Sequence, residues 1–300
     1  MSSLIKPFVL VLAALSGMTF STAPAFAKDI TAEEAARRVN MAGRQRMLSQ
    51  RIAMSACFAT VGINSRTQYQ VLENAYHEFS QVHDGLRNGS EELDLHQEGY
   101  RSVVDALNAV DTSWADYQAM IDGILKIKLM TPYVMNRFDD NGVAVLNDMN
   151  VAVTTIASKY SAELEELPQI LAVTIDFAGR QRMLTQKMAK EFCMVSAGVD
   201  VEESRELLMQ SYEQFNLTLA ALVDGIPHMI TPAPTPEILA HLHDVEKVWE
   251  QPSQIFAKAI AGEEITLEDR RFIADNIDTV LMKMNDTALL YQDVHGLPNF

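Results

Sequence analysis

Apolar residues along this chain recur at three- and four-residue spacing, and strand-like alternation is nearly absent, a pattern that predicts helices throughout. Glycines and prolines cluster between the periodic segments and divide them. In the first half the pattern predicts helices near 31–59, 67–87, 91–127 and 138–166, and in the second near 168–196, 202–224, 235–261 and 266–294. Thr31 and Glu34 stand at capping-box spacing, Asn88-Gly89-Ser90 separates the second helix from the third, and Thr266 with Asp269 marks another start. The stretch at 227–237 reads as a loop that ends with Thr235 as N-cap and Pro236 at the first helical position. Four helices per half with short connections predict an all-α fold of two tandem up-down four-helix bundles.

The two halves are copies. Residues 42–57 read AGRQRMLSQRIAMSAC and residues 178–193 read AGRQRMLTQKMAKEFC, with ten of sixteen positions identical at an offset of 136. The register continues through Tyr76 with Tyr212, Phe79 with Phe215, Leu86 with Leu222 and Gly89 with Gly225. After a one-residue deletion, Trp114 matches Trp249 and NGVAVLNDMN (141–150) matches NIDTVLMKMN (276–285). The expected organisation is a first module over 28–166 and a second over 167–300, with Pro168 near the boundary.

The first residues read as a leader. Lys6 supplies a positive segment, Phe8 to Phe20 is an apolar run of 13 residues, and Ala25-Phe26-Ala27 has the small-x-small form of a signal peptidase site. That run is shorter than the roughly 20 residues a membrane span needs. Cleavage after Ala27 is therefore expected, leaving Lys28 first in a soluble, periplasmic chain whose message must pass through a membrane partner. The net charge of −16 argues against nucleic acid, where Lys and Arg contacts to phosphate dominate affinity.

On a helical wheel at about 100° per residue, Val39, Ala42, Gly43, Ser49, Gln50, Ala53 and Cys57 all fall within about 60° of Arg46. In the second copy Ala178, Gly179, Thr185, Gln186, Ala189 and Cys193 surround Arg182 in the same way. Small residues let a second helix come close. Two such stripes face to face would bring two guanidinium groups together, a repulsion of roughly 3 kcal/mol at about 5 Å and an effective dielectric of about 20. A trapped planar oxyanion would remove that penalty, since arginine's fork suits it. The competing reading is that each arginine pairs with carboxylates of its own bundle. Cys57 and Cys193 also leave two readings open, a single disulfide across the stripe or two small buried hydrophobes.

The segment NMAGRQRMLSQRIA (40–53) and its second copy resemble the first-helix signature of the type IV pilus methyl-accepting chemotaxis transducer N-terminal (PilJ-type) domain family. They are also similar to the periplasmic sensor domain of nitrate/nitrite sensor kinases, whose signature has the form AG-x-x-RM-x-S-x-R. Ala42, Gly43, Arg46, Met47, Ser49 and Arg51 meet that form, as do Ala178, Gly179, Arg182, Met183 and Thr185, with Lys187 in the last place. The resemblance implies a ligand-binding four-helix bundle in which the arginine at the Arg46/Arg182 position reaches a nitrate shared between two bundles across a two-fold axis. It makes Arg46, Arg182, Gly43, Gly179, Ser49, Thr185, Arg51 and Lys187 the expected ligand-binding residues. The shared site would lie within one chain, as a pseudo-dimer, or between two chains of a homodimer.

Other chemistry finds no motif. His241 and His243 diverge on a helix, and Met47, Met54, Met183 and Met188 sit at core spacings, so neither a metal nor a cofactor is expected. There is no haem, zinc-protease or nucleophile-elbow motif, and no enzyme is expected. Two functions remain. One is a sensor of a small oxyanion, nitrate or nitrite, that engages a membrane receptor or kinase. The other is a helical adaptor in pilus- or chemotaxis-type signalling that binds no small ligand.

Overall fold

The computed structural model describes residues 30–163, 169–230 and 232–293; the expected leader and Pro168 lie outside these. Among the described residues there are eight helices and no β-strand, only two isolated bridges. The first four are α1 (Ala32–Thr60), α2 (Ser65–Asn88), α3 (Arg101–Ile127) and α4 (Pro132–Glu163). The second four are α5 (Gln169–Ala197), α6 (Val201–Asp224), α7 (Pro236–Ile260) and α8 (Leu267–Asp293). Within each set, consecutive helices pack side by side and the last closes back on the first, which makes two up-down four-helix bundles.

Local chemistry sets the boundaries. Thr31 accepts a hydrogen bond from the backbone N–H of Glu34 at 3.2 Å, and Thr235 accepts one from Ile238 at 3.1 Å ahead of Pro236. Thr266 and Asp269 form a reciprocal box, backbone to side chain in both directions, at 2.9 and 3.1 Å. Both second helices end at a glycine with φ near +80°, Gly89 and Gly225, where a side chain would be strained.

Two starts differ from the periodicity. Helix α4 begins at Pro132, not 138, because Thr131 caps the N–H of Val134 at 3.3 Å and the proline follows it, the same device as Thr235-Pro236. Helix α3 begins at Arg101, not 91. Ser90 and Leu95 exchange backbone hydrogen bonds at 2.8 and 2.9 Å, and the N–H of His96 donates to Glu34 at 2.9 Å. Buried Arg38 takes the carbonyls of Leu86 and His96 and pairs with Glu34 and Glu98 at 3.1 and 3.2 Å. These partners use up backbone groups that a helix through 91–100 would need for itself.

The duplication is preserved in the cores. Trp114 packs on Phe79 and Tyr76 with ring centroids 3.9 and 5.8 Å away, and Trp249 packs on Phe215 and Tyr212 at 4.3 and 6.0 Å. The two bundles meet along α1 and α5, with α1 also reaching α8 and α5 reaching α4. A helix shared between its own bundle and a seam is covered on every side. That is why polar residues such as Gln45, Arg46, Ser49 and Gln50 of α1 are as buried as its alanines.

Candidate functional site

Helices α1 and α5 run parallel, because residues at one offset meet along the whole contact. Near one end, a Cβ built on either of Gly43 and Gly179 would lie 4.0 Å from the other's Cα. Four turns along, Cys57 and Cys193 form a disulfide with their Cα atoms 6.2 Å apart. Of the two readings open for the cysteines, the cross-seam bond is the one found. The small stripe therefore faces its own copy, and at the level of the arginines two glycines bring the backbones into contact.

Arg46 and Arg182 converge over that glycine contact. The point where a Gly43 Cβ would sit is 3.4 Å from Nη2 of Arg46 and 3.5 Å from Nη2 of Arg182; the corresponding point at Gly179 is 3.7 and 3.2 Å from them. Both side chains are cut off from water, with residue exposures of 0% and 1%. Arg182 donates to Oδ1 of Asn285 at 3.0 Å and to the carbonyl of Asn40 at 3.1 Å, and its Nε–H is buried without a partner. It makes no ion pair among the described residues. Burial first, and then the charges of Arg44 and Arg46, pull its pKa down to about 9, with the Asp176 charge opposing them more weakly. A guanidinium keeps its proton at neutral pH, so the fold bears the cost of a buried charge that no carboxylate touches.

Arg46 is held differently. Its Nη2 donates to Oδ1 of Asp176 at 2.5 Å, and its Nη1 lies 3.4 Å from Oδ1 of Asn150. Burial lowers its pKa too, but the Asp176 charge opposes the change. Asp176 also accepts from Arg180 at 3.1 Å; burial would raise its carboxyl, and the two arginines outweigh that and hold it below the ordinary range. The competing reading was pairing within each bundle. Instead Arg46 pairs across the seam, with the other bundle, and Arg182 with no carboxylate.

The remaining expected residues do not converge on this point. Ser49 and Thr185 donate their hydroxyls to the carbonyls of Arg46 and Arg182, each at 2.8 Å, one turn back on their own helices. Arg51 is bound bidentately by Asp278 of α8 at 2.5 and 2.6 Å, a tie across the seam. Lys187 pairs with Glu191 and donates to Ser211 at 2.8 Å within its own bundle. Sequence reasoning overlooked Asn150, Asn285 and Asp176. The two asparagines had a signal, since each closes its copy of the matching segments 141–150 and 276–285. Beside Arg182, a cleft of about 430 Å³ opens to solvent, lined by Arg37, Asn40, Met41, Arg44 and Asn285 among others.

Fold and site together define a duplicated helical-bundle protein with a buried arginine pair at the seam between copies. The chain belongs to the family described as type IV pili methyl-accepting chemotaxis transducer N-terminal (PilJ), whose model matches it twice, over residues 31–135 and 170–272. No curated protein matches it. Membership places the chain among sensory domains of pilus- and chemotaxis-type signalling. No helix among the described residues is long and apolar enough to cross a membrane, and no group of His, Cys, Asp or Glu there has the arrangement of a metal site.

Proposed function

We propose that this protein is a periplasmic sensor that binds one small oxyanion, nitrate or nitrite, between Arg46 and Arg182 and signals through a membrane receptor or kinase. One observation carries this reading: Arg182 is a fully buried cation without a carboxylate, beside a second buried arginine, at the foot of an open cleft. A pair built only to hold two helices together gains nothing from such a charge, and apolar residues of similar volume would serve it better. Gly43 and Gly179 let the helices bring the two guanidinium groups together, and Asn150 and Asn285 hydrogen-bond to them. The export expected from residues 1–27 would put the cleft in the periplasm.

Nitrate at about 100 times its Kd stabilises a folded protein by about 2.7 kcal/mol if it binds the native state alone. That corresponds to about 5–10 °C in Tm for a chain of this size. Differential scanning fluorimetry should show such a shift for the wild type and lose most of it in Arg182→Ala and in Arg46→Ala. Unliganded Arg182→Ala should melt no lower than wild type, since it deletes an uncompensated buried charge. The adaptor reading draws on Asp176, which already neutralises Arg46. A wild type that responds to no small anion would establish that second reading.

A further inference from the structure

The repeat pairs Asn40 with Asp176, so the residues touching the two buried arginines are alike except for one charge. On one side Arg46 meets the Asp176 carbonyl at 3.4 Å, the Asp176 carboxylate at 2.5 Å and Asn150. On the other, Arg182 meets the Asn40 carbonyl at 3.1 Å and Asn285, but where a carboxylate would stand the residue is a neutral amide. The neighbouring arginines follow the same division. Arg44 of the first copy pairs with Glu78 and needs nothing from position 40. Position 78 corresponds to Gln214 in the second copy, so Arg180 turns to Asp176 instead. The buried layer of Arg46, Arg182 and Asp176 therefore carries two positive charges and one negative.

We infer that Asp176 is the specificity-determining residue of the site: its carboxylate occupies one half as a fixed internal anion and leaves a single positive charge, so the other half accepts one monoanion and refuses a dianion. This deepens the proposed function and rests on it. A monoanion cancels the remaining charge of Arg182, whereas a dianion would leave the sealed layer with a net negative charge beside Asp176, which low-dielectric surroundings penalise heavily. The cleft opens beside Arg182 and Asn285, so an incoming ion meets the unneutralised arginine first.

Isothermal titration with sodium nitrate and with sodium sulfate tests this on the full mature chain. Wild type should bind nitrate and not sulfate. Asp176→Asn leaves neither buried arginine with a carboxylate and doubles the buried charge, so nitrate should bind at least about tenfold tighter and sulfate should now bind. Asn40→Asp supplies the missing carboxylate and should abolish nitrate binding; it removes a charge imbalance, so its melting temperature should hold even if Asp176→Asn folds poorly. Unchanged nitrate affinity in Asn40→Asp, an Asp176→Asn chain that still refuses sulfate, or a wild type that binds sulfate as tightly as nitrate would overturn the assignment and leave the anion site standing. A wild type that binds neither ion, with both variants equally silent, would overturn the proposed function and this inference together.

Discussion

Replacing both Cys57 and Cys193 by alanine should lower the unfolding free energy by about 4–5 kcal/mol and the melting temperature by about 10–15 °C. The bond closes a loop with a sequence separation of 136, so in the unfolded chain it ties the start of the first bundle to the start of the second. Loop-closure entropy grows with the logarithm of loop length, and at this length its contribution is near the upper end for a single disulfide. Alanine suits both positions, because the cysteines are buried at 1% and 0% exposure among small and apolar neighbours. Thermal melts of oxidised wild type and the double variant make the comparison. A difference under about 1 kcal/mol would mean that the seam holds the halves just as closely in the unfolded chain without the bond.

The second large effect is expected at Lys190. This side chain is buried at 1% exposure on α5, and its ammonium lies 2.7 Å from Asp139 of α4, in the other bundle. Burial would lower its pKa, but Asp139 and then Glu191 outweigh that and raise it. Asp139→Ala would strand a buried cation and should cost about 3–5 kcal/mol. The repeat supplies the remedy: the position equivalent to Lys190 is Met54, and the one equivalent to Asp139 is Ala274. The double variant Lys190→Met, Asp139→Ala copies that apolar arrangement onto this side of the seam and should recover most of the loss. Urea unfolding of the two single variants and the double variant gives the coupling directly. A double variant as unstable as Asp139→Ala alone would show that the ion pair has a role its apolar counterpart cannot fill.

Much of the architecture could be read from the internal repeat. The repeat register matches Trp114 with Trp249 and Tyr76 with Tyr212, and in each bundle the two rings pack together. The stripe around Arg46 and Arg182 likewise turned out to be the face where the copies meet. What escaped was decided between segments rather than within them. Spacing put Cys57 and Cys193 on the seam face, but whether they bond depends on how near the two backbones come, which neither helix specifies alone. The late start of α3 follows from Arg38 and Glu34 reaching across from α1, which no local window contains. Asp176 and Lys190 were missed for another reason. A search for likeness between copies passes over the positions that differ, and Asn40 against Asp176 and Met54 against Lys190 are such differences. In a duplicated chain, a charge present in one copy alone marks where the two have divided their work.

The central claim is that an anion completes the arginine pair, and a crystal structure of the mature chain grown in nitrate tests it most directly. The expected result is flat, three-lobed density between Arg46 and Arg182, with oxygens about 3 Å from Nη2 of Arg182 and from Nη2 of Arg46, and Asp176 still bound to Arg46. Nitrate-grown crystals in which that gap holds only water, or in which Arg182 has turned to a carboxylate of its own, would contradict it.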